Sequence, residues 1–269
     1  MKVSGFTFLR NAVKNNYPFI ASINSILPIV DEFIVVVCDS EDNTLELVKS
    51  INSNKLKVIS APFVSNEDWT YARYTNLAYF LCRGDWCFYI QADEVFPEWE
   101  LDKIYRCMEK FLKVKEVEGI LLNYRHFYGS FRYIRIDRGW YYKEVRIIRN
   151  NLNIVSYKDA QGFRLVEGSN FRKLMVVDSD TYIHHYGFVF KKLGDRIYKE
   201  CKKEWLREYT GKHPSVLGKY IEDFEDNFDI NKCNLEPNFE NLIKLSKEFF
   251  DKLLGKRFFE YKPYKLMKP

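Results

Sequence analysis

No two cysteines in this chain are spaced as C-x-x-C, and the interval from Cys82 to Cys87 does not match a zinc knuckle. No glycine-rich turn of the G-x-G-x-x-G or G-x-x-x-x-G-K kind is present, so the two best-known backbone cradles for phosphate are excluded. The longest apolar run is six residues, Phe33 to Cys38, far short of the ~20 needed to cross a bilayer. Net charge is small: 42 Lys and Arg against 37 Asp and Glu leave +5. A dedicated nucleic-acid binder concentrates more positive charge, so no nucleic-acid partner is expected. No internal repeat or low-complexity block occurs. Arg10 and Lys14 interrupt the first apolar stretch, so no secretory leader is read there. The six cysteines (38, 82, 87, 107, 201 and 233) are therefore expected to be free, mostly buried thiols of a cytoplasmic protein.

What the chain has is enough apolar material for a large core. Hydrophobic residues are 46% of 269, which excludes a disordered chain. Aromatics are abundant, with 22 Phe, 19 Tyr and 5 Trp, and rings with a polar handle suit wet clefts.

The apolar pattern predicts strands at Val3 to Leu9, Phe33 to Cys38, Lys57 to Ala61 and Trp86 to Ile90. Helices are predicted between them at Pro18 to Val30, Thr44 to Ile51 and Glu67 to Cys82. The β-branched run Phe33 to Cys38 suits a central parallel strand buried on both faces. This β-α-β-α-β-α-β order implies a parallel sheet with crossover helices. A helix from Pro97 to about Leu112 follows. Strands are then expected at Gly119 to Tyr128, Tyr141 to Arg149, Ile154 to Tyr157 and Leu174 to Ile183, forming a mixed or antiparallel half. Phe188 to Glu208, Ser215 to Phe228 and Pro237 to Leu254 read as helices, followed by a basic, aromatic tail.

Four segments could carry chemistry. Asp39-Ser-Glu-Asp42-Asn-Thr44 follows the second strand, where ligands bind in open α/β sheets, and it also reads as a helix cap. Gln91-Ala-Asp93-Glu94 ends the fourth strand; adjacent carboxylates there suit a hard divalent cation, or a solvated turn. His184-His185-Tyr186-Gly187 closes the last strand and reads as a structural pair or as a metal ligand. Arg138, Lys143, Arg146 and Arg149 lie on or near one strand. They read as phosphate contacts or as a solvated face, with Glu144 and Arg146 on one side of the strand and Lys143 on the other.

In this order, the segments resemble family 2 glycosyltransferases of the GT-A fold, from about Val3 to Gly187. The quoted matches are Leu9-Arg10-Asn11, the stretch Val30 to Thr44, Ala72-Arg73 with Asn76, Gly84 to Glu94, Lys143 to Arg149, and His185-Tyr186-Gly187. The chain departs from the family pattern in three places. Gln91 stands where the family's first DxD aspartate stands. The loop after Asp39 is shorter. The late His-Glu motif has no clean counterpart, the nearest segment being Lys158-Asp159-Ala160-Gln161-Gly162.

The resemblance implies an α/β GT-A catalytic domain over 1–187, with a nucleotide-sugar half (1–96) and an acceptor half (97–187). A helical extension would follow over 188–269. It implies an inverting transfer of a hexosyl group from a UDP- or GDP-sugar to a hydroxyl of a glycan, lipid-linked or protein acceptor, assisted by Mn²⁺ or Mg²⁺. Asp93 and His185 would hold the metal. Arg10, Asp39, Asp42, Arg73 and Gln91 would contact the donor nucleotide, and Lys143 and Arg146 the phosphates or acceptor. Asp159 would be the base, with Glu94 as its competitor. The run Lys256, Arg257, Phe258, Phe259, Tyr261 and Lys262 suggests a peripheral membrane contact, against a helix packed on the domain. Two other functions remain at this level: a non-catalytic nucleotide- or carbohydrate-binding protein, and a nucleotidyltransferase.

Overall fold

In the computed structural model, residues 1–65, 69–137, 140–160, 162–190, 194–236 and 264–267 are described. Strand β1 (Val3–Leu9) lies between two parallel neighbours, β2 (Glu32–Cys38) and β4 (Trp86–Tyr89). Beyond β2, β3 (Leu56–Ala61) forms the edge. Helices α1 (Phe19–Ile26), α2 (Thr44–Lys49) and α3 (Thr70–Tyr79) are the connections.

The uninterrupted apolar run of β2 has its explanation in the packing of both faces. Phe33, Val35 and Val37 pack in one core with Ile23 and Ile26 of α1 and with Ile104 and Met108 of α4 (Leu101–Phe111). Ile34, Val36 and Cys38 pack in a second core with Tyr74 and Ala78 of α3. A strand buried on both sides has no polar alternation to show.

The second half of the sheet is mixed. Strand β8 (Lys143–Arg149) runs antiparallel to β4, and β6 (Gly119–Tyr128) antiparallel to β8. The seventeen-residue β11 (Asn170–Tyr186) is parallel to β6, with a register break between Asp178 and Tyr182. Strands β10 (Gly162–Glu167) and β9 (Ile154–Tyr157) extend the far edge. The two-residue β5 (Glu94–Val95) pairs antiparallel with the end of β11. The mixed sheet flanked by helices is the architecture that the resemblance implies.

The C-terminal part departs from expectation. The helix expected over Phe188 to Glu208 is broken into α5 (Gly187–Phe190), α6 (Arg196–Lys199), a 3₁₀ turn (Lys203–Trp205) and strand β12 (Leu206–Glu208). The physical reason is an open strand edge. β7 (Ser130–Arg135), not expected from the sequence, recruits β12 as its antiparallel partner, and Ile136 N–H donates to the Trp205 carbonyl at 2.8 Å. Gly194, at φ +52°, adopts the left-handed conformation that interrupts a helix. Ser215 to Phe228 forms a 3₁₀ turn (Ser215–Leu217) and the single-turn α7 (Gly218–Glu222). In the tail, Tyr264–Leu266 form β13, parallel to β11. The helix expected over Pro237 to Leu254, the basic run Lys256 to Lys262, Arg138 and Gln161 lie outside the described residues, as does the expected start of α3 at Glu67.

All six cysteines are free thiols. Among the described residues, no helix is long and apolar enough to cross a membrane.

Gly5 on β1 is fixed by packing: a Cβ there would lie 2.6 Å from Cδ2 of the fully buried Phe33 ring. Gly5→Ala is expected to lower stability by about 1–3 kcal/mol in urea unfolding. An unchanged midpoint and slope would contradict this packing.

Candidate active site

A cleft of about 460 Å³ opens beyond the carboxyl ends of β1 and β4. This is where the strand order reverses, since β2 leaves β1 on one side and β4 joins it on the other. Its size falls within the usual range for small-molecule sites. Arg10, Tyr17, Gln91, Asp93 and Asp159 line it, along with Phe63 and Tyr71.

The rim is built by two loops stitched together. Asn11, at φ +49°, accepts from the Glu41 N–H through Oδ1 at 2.8 Å, and its own N–H donates to Ser40 Oγ at 3.0 Å. Asp42 Oδ2 accepts from the Lys14 N–H at 2.7 Å, and Oδ1 from the Thr44 N–H at 3.0 Å. Burial disfavours the Asp42 carboxylate, but the hydrogen bonds from Thr44 and from backbone N–H groups outweigh it and hold its pKa below the ordinary value. Asp42 thus caps this loop and, like Asp39, is not among the residues lining the cleft. Asp39 is exposed at the rim and accepts from the Phe63 N–H at 3.1 Å. Arg10 donates to the Asp39 carbonyl at 3.2 Å and stacks 3.7 Å over the Phe63 ring. The result is a flat cation and aromatic surface next to a carboxylate.

The floor depends on Glu94. It is fully buried and accepts from Arg146 Nη2 at 2.8 Å, Tyr124 Oη at 2.6 Å and the Gln91 N–H at 3.0 Å. Arg146 Nε lies 3.1 and 3.2 Å from its two oxygens. Burial opposes the Arg146 charge, but Glu94 outweighs it and holds the guanidinium pKa well above its ordinary value. Two corrections follow. Glu94 has no access to a substrate hydroxyl and is not the base. Arg146 is 1% exposed and bound to Glu94, so it is not a phosphate contact.

Lys143 and Arg149 are also engaged within the fold. Lys143 is ion-paired with Asp178. Arg149 donates to the carbonyls of Phe111, Leu112, Val114 and Val117 at the end of α4, where a cation is favoured. Arg73 is exposed on α3 and lines a separate groove with Pro62, Tyr74 and Phe80.

Asp93 and His185 meet because of the β5–β11 pairing. That pairing sets His185 opposite Glu94 and places His185 Nε2 3.4 Å from Asp93 Oδ2. Gly187 leaves the space: a Cβ there would lie 2.5 Å from Asp93 Oδ2 and 3.0 Å from His185 Nε2. Burial opposes charge on both groups, yet their mutual attraction wins, lowering the Asp93 pKa and raising that of His185. His184 points elsewhere. Its Nε2 accepts from Arg125 Nη1 at 3.0 Å, and its Nδ1 lies 3.1 Å from Tyr186 Oη, so it is a structural histidine.

Asp159 lines the cleft between Lys158 at φ +55° and Ala160 at φ +61°. Two adjacent residues around it in the left-handed region mark stored strain of the kind found at functional loops. Tyr17, which the sequence pattern did not single out, also lines the cleft. Its hydroxyl is pushed up to about 12 by burial and by the Asp93 charge.

Among the described residues, no group of three or more His, Cys, Asp or Glu is placed to hold a metal ion. The protein would therefore offer a cation two donors, Asp93 and His185. Their separation of 3.4 Å is close to the about 3 Å between adjacent corners of an octahedral site. The carboxylate suits a hard cation and the imidazole a transition-metal ion, so the pair fits Mn²⁺ better than the oxygen-bound Mg²⁺, with water and phosphate oxygens completing the shell.

No family model matches the chain, and no curated protein matches it. Solved structures are similar over part of its length. TarS of S. aureus matches with a TM-score of 0.40 and 17% identity, over 56% of this chain and 28% of TarS. A shorter TarS in complex with UDP-GlcNAc matches with a TM-score of 0.36 and 22% identity, over 47% and 35%. Glucosyl-3-phosphoglycerate synthase from Mycobacterium tuberculosis, in complex with Mn²⁺, UDP and phosphoglyceric acid, matches with a TM-score of 0.31 and 22% identity, over 47% and 43%. The chain thus spans less than half the length of each of these three structures.

Two predictions test the floor. Glu94→Gln, which leaves Arg146 buried without its counter-charge, is expected to cost about 3–5 kcal/mol of stability in urea unfolding. Full stability with lost activity would instead return Glu94 to the chemistry. Glu144, buried on β8 with no hydrogen-bond partner for Oε2 among the described residues, is pushed up to about 8 by burial, against the opposing charge of Arg146. Its contribution to stability is full below its ordinary value of 4.5 and is lost as pH rises to about 8. The slope is at most about 1.4 kcal/mol per pH unit. Glu144→Gln should flatten that window and be more stable than the natural chain above it; an unchanged pH profile would contradict the assignment.

Proposed function

We propose that the chain is a GT-A glycosyltransferase that moves a hexosyl group, with inversion, from a UDP- or GDP-sugar to an acceptor hydroxyl. The single observation carrying this reading is that Asp93 lines a cleft at the switch point of the sheet and has the buried His185 imidazole 3.4 Å from its carboxylate. A carboxylate at an open cavity, with an imidazole beside it, suits a divalent cation whose other ligands are phosphate oxygens.

In this reading the base and ribose lie against the rim, where Arg10 stacks on Phe63 and Asp39 offers a carboxylate acceptor. Asp93 and His185 hold Mn²⁺ or Mg²⁺, which when bound stabilises the charge gained by the leaving diphosphate. Gln91 carries no charge and positions the donor through hydrogen bonds. Asp159 takes the proton from the acceptor hydroxyl as it attacks the anomeric carbon, since a hydroxyl is a weak nucleophile without a base. The acceptor is a glycan, a lipid-linked sugar or a protein. A second reading, a non-catalytic nucleotide-sugar binder, is favoured by Gln91, which removes one carboxylate from the donor site.

The test is release of nucleoside diphosphate from a panel of UDP- and GDP-sugars, with and without Mn²⁺. Metal-dependent release is expected. Asp93→Asn should abolish its metal dependence, and Asp159→Asn should lower kcat by about 10²–10⁴-fold while donor binding persists. Metal-dependent turnover that survives Asp93→Asn would overturn the metal assignment. Binding without turnover of any donor would favour the binder, and pyrophosphate release from a nucleoside triphosphate would favour nucleotidyl transfer.

A further inference from the structure

Away from the residues that line the cleft, two thiols meet: Cys201 Sγ donates to Cys233 Sγ at 3.2 Å. Cys201 follows α6 and is fully buried, packed with Tyr128, Leu206 and Phe228. Cys233 follows the 3₁₀ turn Ile230–Lys232 and is half-buried.

Backbone contacts bring the two sulfurs together. The Asn234 N–H donates to the Tyr198 carbonyl and the Glu236 N–H to the Lys199 carbonyl, both at 2.9 Å, which lays the segment around Cys233 along α6. The buried Arg135 guanidinium donates to the Glu200 carbonyl at 2.8 Å and so holds the peptide that enters Cys201. Each segment is therefore fixed by groups other than its thiol.

The two thiols are not equivalent. The Cys201 S–H aimed at Cys233 stabilises a thiolate there, and together with the Arg135 charge it outweighs burial and lowers the Cys233 pKa. Cys233 is also the member that solvent reaches. Cys82 and Cys87 interact too, but both are buried, and a hydrogen bond between them together with burial raises the Cys87 pKa, so that pair lacks an accessible thiolate.

We infer that Cys201 and Cys233 form a thiol–disulfide exchange site, with Cys233 the attacking sulfur and Cys201 the resolving one, and with a low-molecular-weight disulfide such as oxidised glutathione as oxidant. Cys233 gives its proton to solvent, and its sulfur attacks one sulfur of the glutathione disulfide. That S–S bond breaks, a Cys233–glutathione bond forms, and one glutathione leaves as a thiolate that takes up a proton. Cys201 then loses its proton, its sulfur attacks that of Cys233, and the second glutathione leaves in the same way. The protein gives up two electrons and two hydrogens, and one glutathione disulfide becomes two thiols. From 3.2 Å, the sulfurs close by only about 1 Å to reach bonding distance. The site is independent of the chemistry proposed for the cleft.

The folded full-length chain is incubated with excess oxidised glutathione, its remaining thiols are blocked, and its peptides are mapped by mass spectrometry. The expected product is a linked peptide joining Cys201 to Cys233, lighter by two hydrogens than the two thiol peptides together, with no glutathione on either residue. Dithiothreitol should restore both thiols. Cys201→Ser should stop at the first step and keep one glutathione on Cys233, whereas Cys233→Ser should leave Cys201 unmodified. Both thiols still free in the natural chain would overturn the site, as would a linked peptide pairing either residue with another cysteine. Glutathione retained on Cys233 in the natural chain would overturn the resolving role of Cys201, and modification of Cys201 in folded Cys233→Ser would overturn the order of attack.

Discussion

The buried ion pair between Glu94 and Arg146 is the constraint on which the site rests. Burying two charges is costly, and the attraction between them compensates only when geometry and further hydrogen bonds are good. Both conditions hold here: the guanidinium faces both carboxylate oxygens, and Tyr124 and the Gln91 N–H take up further acceptor capacity. The pair ties the turn after β4 to the middle of β8. That fixes the backbone from Gln91 to Glu94, and with it the direction in which Asp93 leaves the strand.

A second constraint comes from strand register. The short β5 and the long β11 bring the end of the polypeptide's parallel half against the last strand of its mixed half. Residues 92 positions apart in sequence thereby meet across 3.4 Å (His185 and Asp93). The register break in β11 lies before this region, between Asp178 and Tyr182, so the final residues Tyr182 to His185 keep an unbroken pairing with β6. Gly187 completes the arrangement by leaving no side chain where the two donors approach.

Much of this was legible in the sequence, for identifiable reasons. The parallel half could be read because β1 to β4 are apolar runs separated by helical periodicity. Asp93 and His185 stood out because polar residues at strand ends are conspicuous. The spacing of Glu144 and Arg146 also placed them on one side of the strand, but not that this side is buried. The role of the buried charges was not legible. Glu94 and Arg146 look like surface chemistry in one dimension, and only the sheet order that sets β4 beside β8 makes them partners. Asp42 and Arg73 show a related ambiguity: a loop cap and an exposed helix position carry the same letters as a ligand contact. β7, β10 and β12 were missed because their strand character comes from pairing with neighbouring edges, as tertiary context overrides local propensity.

The central claim is that this cleft binds a nucleoside diphosphate through a cation at Asp93 and His185. The most direct measurement is thermal unfolding of the chain with UDP or GDP, each with and without Mn²⁺. A ligand that binds only the folded state stabilises it by about 2.7 kcal/mol at a hundredfold excess over Kd. The account predicts a rise in Tm for one of these nucleotides that requires Mn²⁺ and is lost in Asp93→Asn. No shift with any nucleotide, in protein shown to be folded, would contradict it.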